Sequence, residues 1–396
     1  GAFLYRTPAA RLHLRLSSHG CHDGELKLRS TNYELQRMEA LLGKTLSELQ
    51  EVALSVGLQK FAGKQLAQWL YVQRVRSIDE MTNISLKGRE ALKARYTVGR
   101  HAPVREAVSV DGTRKYLFAV ENQKSEIENQ KSLNYIESVY IPEEDRATLC
   151  VSTQAGCKMG CRFCMTGTLG FHGQLPASEI LNQIFEIDQL AITNHQSSIS
   201  NLVYMGEGEP MDNLDYVLRS LEIMTAEYGC AWSPKRITVS TVGIPNMKRF
   251  LDESECHLAV SMHNPFAMER AAIMPAEKMM SITEVVALLK QYDWTHQRRV
   301  SFEYICWAGQ NDTIRHAKEL LRLLKGLNCR INLIRFHEGV ENIKSDRHFP
   351  GSNEKQMEFL RDYLTQNGLT TTIRKSRGED ILAACGMLVN SLNTKH

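Results

Sequence analysis

The chain has 396 residues, with 43% hydrophobic and 23% charged residues and a formal net charge of +3. That is the composition of a globular protein with room for one large domain and a smaller one. It excludes a global polycation, so any nucleic-acid surface must be local.

Ten irregularly scattered cysteines favour a reducing compartment and thiol chemistry over a framework of disulfide staples. No apolar run approaches the ~18 residues of a membrane span.

In chain order, residues 1–30 carry Arg6, Arg11 and Arg15 before the first acid, Asp23. An acid-poor, Arg-bearing start can be a transit peptide, but no clear amphipathic face accompanies it, so a disordered tail is favoured. Residues 31–103 predict a small helical domain. Tyr33 to Leu42 is a short amphipathic run stopped by Gly43, Thr45-Leu46-Ser47-Glu48 has the form of a capping box, and Phe61–Tyr71 and Lys87–Tyr96 continue the pattern. Between Lys60 and Arg100 stand nine Lys/Arg and three acids, with Trp69 and Tyr71 among them. Such a run suits either a solvated helix face or an RNA-contact module.

Residues 104–147 alternate as strands, around Lys115–Val120 and Ile136–Pro142. Between them Glu121-Asn122-Gln123-Lys124-Ser125 recurs as Glu128-Asn129-Gln130-Lys131-Ser132. A polar repeat within 121–132 predicts an exposed, dispensable hairpin tip. Deleting residues 126–132 is expected to leave activity intact.

From 148 to 390 strands and helices alternate. Strands are predicted at Thr148–Gln154, Asn201–Met205, Arg236–Thr241, His257–Met262, Val300–Cys306 and Arg330–Phe336. Helices follow at about 177–191, 213–228, 246–253, 282–293, 312–326 and 353–367. Six β/α units imply an α/β fold with a parallel sheet, too few for a closed eight-stranded barrel and right for a partial (β/α)6 barrel. A seventh strand is predicted at Thr370–Arg374.

The loop after the first barrel strand holds Cys157, Cys161 and Cys164, spaced C-x3-C-x2-C. Thiolates bind iron–sulfur clusters, and a cubane held by only three keeps one iron open for another ligand. Gly156 and Gly160 supply the backbone freedom such a loop needs. A zinc site would want a fourth Cys or His at paired spacing, and none is near. A disulfide with a spare thiol suits a small secreted domain better.

Polar residues gather at later strand ends: Gly208 and Glu209 within Gly206-Glu207-Gly208-Glu209-Pro210, Ser240, Ser261 with His263, and Asn332. In the first strand, Cys150 alternates with Leu149 and Val151; it points into the lumen if the apolar pair faces the helices, and is otherwise an ordinary buried thiol. Cys385, in Ala383-Ala384-Cys385-Gly386, is uncrowded and follows Arg374, Lys375 and Arg377, which favour a thiolate; a core role is the other reading.

Jointly with Ile141–Cys150, Ile331-Asn332-Leu333-Ile334 and Arg377-Gly378-Glu379-Asp380, these segments resemble the RlmN/Cfr family of radical S-adenosylmethionine (SAM) RNA methyltransferases, over roughly residues 33–390. The resemblance implies a radical-SAM-type barrel with a 4Fe–4S cluster on Cys157, Cys161 and Cys164. It also implies a SAM site lined by Gly208, Glu209, Ser240, Ser261, His263 and Asn332.

It further implies two SAM per turnover, one as methyl donor to Cys385 and one as radical source. Glu137 matches the base and Cys150 the second thiol that resolve a protein–RNA adduct, and a disulfide bond belongs to the family's features. The product implied is C2-methyladenosine in 23S rRNA at the peptidyl-transferase centre and in tRNA just 3′ of the anticodon. The alternatives are Cfr-like C8 methylation, a radical SAM enzyme on a non-RNA substrate, and a non-catalytic RNA-binding module with a structural metal. Implied partners are the two RNAs and an electron donor such as flavodoxin or ferredoxin; no membrane is involved, and the enzyme is a cytoplasmic monomer. Three positions depart from the family pattern: Glu207 stands where methionine is usual, and Leu382 and Met387 where polar residues are usual.

Overall fold

The computed structural model describes residues 38–121, 133–295, 298–336, 350–384 and 386–388. The predicted tail at 1–30 and nearly all of the repeated tract lie outside these residues, as does Cys385.

The helical domain begins with α1 (Leu46–Ser55), whose Thr45/Glu48 capping box forms as its sequence predicts. Thr45 N–H donates to Glu48 Oε2 at 2.8 Å, and Glu48 N–H donates back to Thr45 Oγ1 at 3.4 Å. α2 (Ala62–Ala67) runs directly into a single π-helical stretch at Gln68–Val72, and α3 is Leu86–Lys93. The run before Gly43 differs from its prediction: Glu39–Ala40 is extended, not helical. The reason lies in its backbone partners, because Leu41 and Leu42 donate to the carbonyls of Thr97 and Val98 rather than to a preceding helical turn.

One ten-stranded sheet organises the rest. Its strands are β1 (Arg105–Val108), β2 (Arg114–Glu121), β3 (Leu133–Pro142), β4 (Ala147–Cys150), β7 (Asn201–Tyr204), β8 (Ile237–Thr241), β9 (His257–Ser261), β10 (Val300–Cys306), β11 (Cys329–Arg335) and β12 (Thr371–Arg374). Their order across the sheet is 12-11-10-9-8-7-4-3-2-1. From β4 through β12 every neighbouring pair is parallel, whereas β3 runs antiparallel to β4 and the meander β1–β3 continues the same sheet.

The parallel strands alternate with α5 (Ala177–Thr193), α6 (Leu214–Thr225), α7 (Met247–Glu253), α8 (Ala267–Ile273), α9 (Ile282–Leu289), α10 (Ile314–Leu324) and α11 (Glu354–Gln366). Sequence alternation did not reveal α8, which is a short helix between Pro265 and Pro275. The strand centres supply the core: Tyr204, Val239, Val260, Phe302 and Leu333 are all buried. A parallel sheet covered by crossover helices needs such apolar runs.

β4 is shorter than the strand predicted at Thr148–Gln154. After Cys150 the chain leaves the sheet to wrap around the end of β7, with Val151 N–H on the Val203 carbonyl (3.0 Å) and Thr153 N–H on the Glu207 carbonyl (2.9 Å). It then forms a separate two-stranded ribbon, β5 (Gln154–Gly156) with β6 (Phe171–Gln174). The cysteine loop and the short helix α4 (Met165–Thr168) are the tip of this ribbon.

The helical domain is fastened to α5 by charge. Arg100 pairs with Glu186 at 2.8 Å, Arg76 pairs with the same carboxylate, and Arg74 pairs with Asp188 while lying over the Phe185 ring. Arg74, Arg76 and Arg100 of the basic run at 60–100 are therefore engaged with α5, while Lys60, Lys64 and Lys87 remain exposed.

Among the described residues no helix is long and apolar enough to cross a membrane.

Candidate active site

A cavity opens at the carboxyl ends of the parallel strands. Cys157, Cys161 and Cys164 line it together with Gly208 and Glu209 after β7, Ser240 in β8, Ser261 in β9 and His263 just after it. Strand ends are where a parallel α/β sheet exposes backbone and polar groups without disturbing its core.

Gly156 enters the cysteine loop at φ +70°, and Gly160 sits inside it at φ +61°. Cys157 N–H donates to the Gly170 carbonyl at 2.9 Å and holds the loop to β6.

Burial pushes the Cys157 thiol up to about 12 and raises those of Cys161 and Cys164 as well. Backbone N–H groups oppose burial, from Met159 at Cys157 and from Gly167 and Thr166 at Cys164. One buried and two half-buried thiols, with amides aimed at two of them, fit an iron–sulfur cluster held by thiolates, whose sulfurs accept such hydrogen bonds. Among the described residues no three Cys, His, Asp or Glu side chains close on one point as a single-ion site would. A four-iron cubane is larger than one ion and takes its thiolates at separate corners, so the donor set suits the cluster better than zinc.

His263 adopts φ +55° and is buried against Phe163, with ring centroids 4.7 Å apart. Its Nδ1 accepts the Ile305 N–H at 3.0 Å, which leaves the proton on Nε2. Burial, and secondarily the Arg270 charge, push its pKa down to about 3, so the ring is neutral.

Both oxygens of Glu209 are engaged: Thr241 Oγ1 donates to Oε1 at 2.6 Å and Val242 N–H to Oε2 at 2.9 Å. Burial lifts this carboxyl to about 7. Ser240 Oγ donates to the Tyr204 carbonyl at 2.7 Å. Asn332 stands one layer behind the cavity wall. Its Nδ2 donates to Glu303 Oε1 at 2.7 Å, and Glu303 itself lines the cavity.

Several site residues were not singled out by sequence reading. Glu303 is the one acid within the mostly apolar Val300–Cys306 strand, and that contrast was the available signal. Arg270, on the unpredicted α8, is fully buried and donates to the carbonyls of Val242 (2.6 Å), Ser261 (2.9 Å) and Met262 (3.0 Å), so it ties the ends of β8 and β9 together. Glu207 is a tie as well. Glu137 N–H donates to its Oε1 at 2.9 Å and Gly156 N–H to its Oε2 at 3.3 Å. Burial and then the neighbouring Glu137 push Glu207 up to about 8.

Cys150 and Glu137 lie on adjoining strands. Leu149 and Val151 belong to the main core, while Cys150 packs with Val139, Ala383 and Leu388. Cys150 therefore faces away from the core that Leu149 and Val151 enter. Gly386 and Leu388 line the cysteine cavity, and Ala383 and Ala384 line a neighbouring cleft. The segment on either side of position 385 thus borders both spaces.

That second cleft is basic, with Arg146, Arg374, Lys375 and Arg377 beside the single acid Glu143. No disulfide bond joins two of the described cysteines.

Residues 40–98 match the family described as the ribosomal RNA large subunit methyltransferase N-terminal domain. A protein of Phocaeicola vulgatus named "Probable dual-specificity RNA methyltransferase RlmN" is 54% identical over 90% of this chain and 96% of its own length. One of the same name from Porphyromonas gingivalis is 51% identical over 90% of this chain and 96% of its own. The crystal structure of a radical SAM methyltransferase from Sphaerobacter thermophilus superposes with a TM-score of 0.77 at 34% identity, covering 88% of this chain and 98% of that one. The thiol-lined cavity at the strand ends and the extent of these likenesses agree: the chain belongs to the RlmN family of radical SAM dual-specificity RNA methyltransferases.

Proposed function

We propose that this enzyme methylates C2 of adenosine in 23S rRNA, at the peptidyl-transferase centre, and in tRNA, just 3′ of the anticodon, through an S-methylated Cys385. The observation that supports this most is the shared cavity, which the three thiols line together with Gly208, Glu209, Ser240, Ser261 and His263 and which the neighbours of Cys385 border. The RlmN-type relatives favour C2 over the Cfr-like C8 alternative.

Adenine C2 is not nucleophilic, so polar methyl transfer fails there. Cys157, Cys161 and Cys164 would hold a 4Fe–4S cluster, which together with SAM would supply the one-electron chemistry needed to activate a methylated Cys385. The remaining tasks fall to side chains of this chain. His263, with its proton on Nε2, offers a neutral donor to the cavity, and Gly208, at φ +101° with Gln154 packed where a Cβ would stand, brings its backbone to the cavity wall. Asn332 fixes Glu303 at the wall. Glu137 takes the C2 proton of the protein–RNA adduct; Cys150, as the thiolate, attacks the Cys385 sulfur, the S–CH2 bonding pair passes to the base and its methylene takes up a proton to become the methyl group, and the disulfide formed must be reduced before the next turnover.

The target base has to leave its stack to reach this depth. The basic cleft beside Ala383 and Ala384 is suited to the flanking phosphates, and exposed lysines of the helical domain to more distant ones. An electron donor of the flavodoxin or ferredoxin class, two SAM per turnover, a monomeric state and a cytoplasmic location complete the reading.

The test uses Cys385→Ala, reduced anaerobically with labelled SAM and RNA. The expected result is loss of RNA methylation with reductive SAM cleavage retained. A variant that still methylates RNA overturns the assignment of Cys385. Mass spectrometry of the wild-type product distinguishes C2 from C8 and rRNA from tRNA.

A further inference from the structure

We propose that Lys115 is a positioning residue for adduct resolution, holding the Glu137 carboxylate and the backbone that leads to Cys385 in one fixed relation. The inference rests on the function proposed above and extends it to a residue with no role there.

Strand register places the groups. Lys115 on β2 pairs with Val139 on β3, and Val139 pairs with Cys150 on β4. Directly paired residues share a sheet face, and so do residues two apart along a strand. Lys115, Glu137 and Cys150 therefore project from one face, the face against which Ala383 packs.

Lys115 Nζ lies 3.1 Å from Glu137 Oε1, with the two side chains only 12% and 6% exposed. The same ammonium donates to the Leu382 carbonyl at 3.3 Å. Leu382 adopts φ +53°, a left-handed conformation that a residue with a Cβ resists, so its carbonyl is held in place against a local preference.

Other contacts anchor this segment. Ser109 Oγ donates to Asp380 Oδ1 at 2.5 Å, and Gly378 N–H donates to Asp111 Oδ2 at 3.1 Å. Beyond position 385, Met165 N–H donates to the Gly386 carbonyl at 2.8 Å. These fasten backbone to scaffold. Lys115 differs in that it also reaches a group assigned to the chemistry.

That contact has a chemical consequence. In resolution the C2–H bond breaks, the proton passes to a Glu137 oxygen, and the bonding pair stays with the base ring. Glu137 must be ionised and aimed before this happens. An ammonium in contact favours the ionised form and fixes the orientation of the carboxylate. Among the described residues, the charged and titratable groups facing Glu137 include Lys115 from β2, Glu207 after β7 and Cys150 from β4. Glu207 accepts the Glu137 N–H at 2.9 Å.

The experiment compares wild type, Lys115→Met and Lys115→Arg as full, cluster-loaded chains in single turnovers on an rRNA fragment across pH. Iron content and RNA affinity serve as controls. Lys115→Met is expected to keep its iron, to accumulate covalent protein–RNA adduct, and to form product about tenfold more slowly, a modest part of what a positioned base contributes. Its rate should need a higher pH to reach the plateau, because the base has lost its cation. Lys115→Arg should restore the wild-type profile. A Lys115→Met protein that is merely slower, with an unmoved profile and no adduct, overturns the inference. If Lys115→Met loses its iron, Lys115→Arg decides: a normal profile supports the inference, and a displaced one overturns it. Absence of C2 product from wild type overturns both this inference and the function on which it rests.

Discussion

Replacing Gly156 by alanine tests the geometry of the cysteine loop most sharply. Gly156 has φ +70°, and an added Cβ would land on the Gly170 carbonyl oxygen, with the Gly170 carbonyl carbon at 3.0 Å and His172 Cδ2 at 3.2 Å. Left-handed backbone costs a residue with a Cβ about 1–2 kcal/mol. Relieving the clash requires moving rigid backbone and breaking the Cys157 N–H bond to that same carbonyl, worth about 1 kcal/mol net.

Backbone displacement adds further strain, so the local cost is of order 3–5 kcal/mol, within the range of the most damaging single substitutions. Gly160→Ala is the matched control. It has φ +61°, yet its nearest neighbour would be Pro275 Cγ at 3.9 Å, so only the backbone penalty of about 1–2 kcal/mol applies. The assay is iron and sulfide content after anaerobic reconstitution, together with thermal melting. Gly156→Ala should lose most of its cluster and Gly160→Ala should keep most of it. Equal retention by the two variants would refute the claim that the Gly170 contact shapes the loop.

Three more predictions follow from buried charge and from the basic cleft. Glu186→Ala leaves Arg100 and Arg76 without their shared carboxylate, which is fully buried, and should destabilise the protein by about 3 kcal/mol; a denaturant-measured loss under about 1 kcal/mol would remove the charged fastening of the helical domain. Glu207 holds its proton to about pH 8 in the folded chain, whereas an unfolded carboxyl releases it near pH 4. Its contribution to stability is therefore fully present below the unfolded value and is lost as pH rises toward 8, with a slope of at most about 1.4 kcal/mol per pH unit. Denaturation of the cluster-free chain between pH 5 and 8 should show that slope, and Glu207→Gln should flatten it; an unchanged slope counts against the assignment. Lys375→Ala, in the basic cleft, should weaken RNA binding and lower the salt dependence of log affinity by about one ion; binding with an unaltered salt slope would place the RNA elsewhere.

The departures from the family pattern acquire physical meaning from these contacts. A carboxyl at position 207 is tolerated because two backbone amides, from Glu137 and Gly156, end on its oxygens. Leu382 matters through its carbonyl rather than its side chain, since that carbonyl receives Lys115.

Local order in the chain already announced much of this protein. The β/α alternation, the capping box at Thr45, the C-x3-C-x2-C loop and the polar residues at strand ends were legible because each depends on period, spacing or turn chemistry within a few residues. Tertiary structure alone decided which distant groups meet. Arg74, Arg76 and Arg100 read as a basic run, yet they end on Glu186 and Asp188, more than eighty positions away. Arg270 and Lys115 carry no local signature, and Glu303 only its contrast with the apolar strand around it; they gain their roles when sheet order brings α8, β2 and β10 to the same end of the sheet or the same sheet face. Periodicity reports which face a side chain occupies; only the packed sheet reports what it faces.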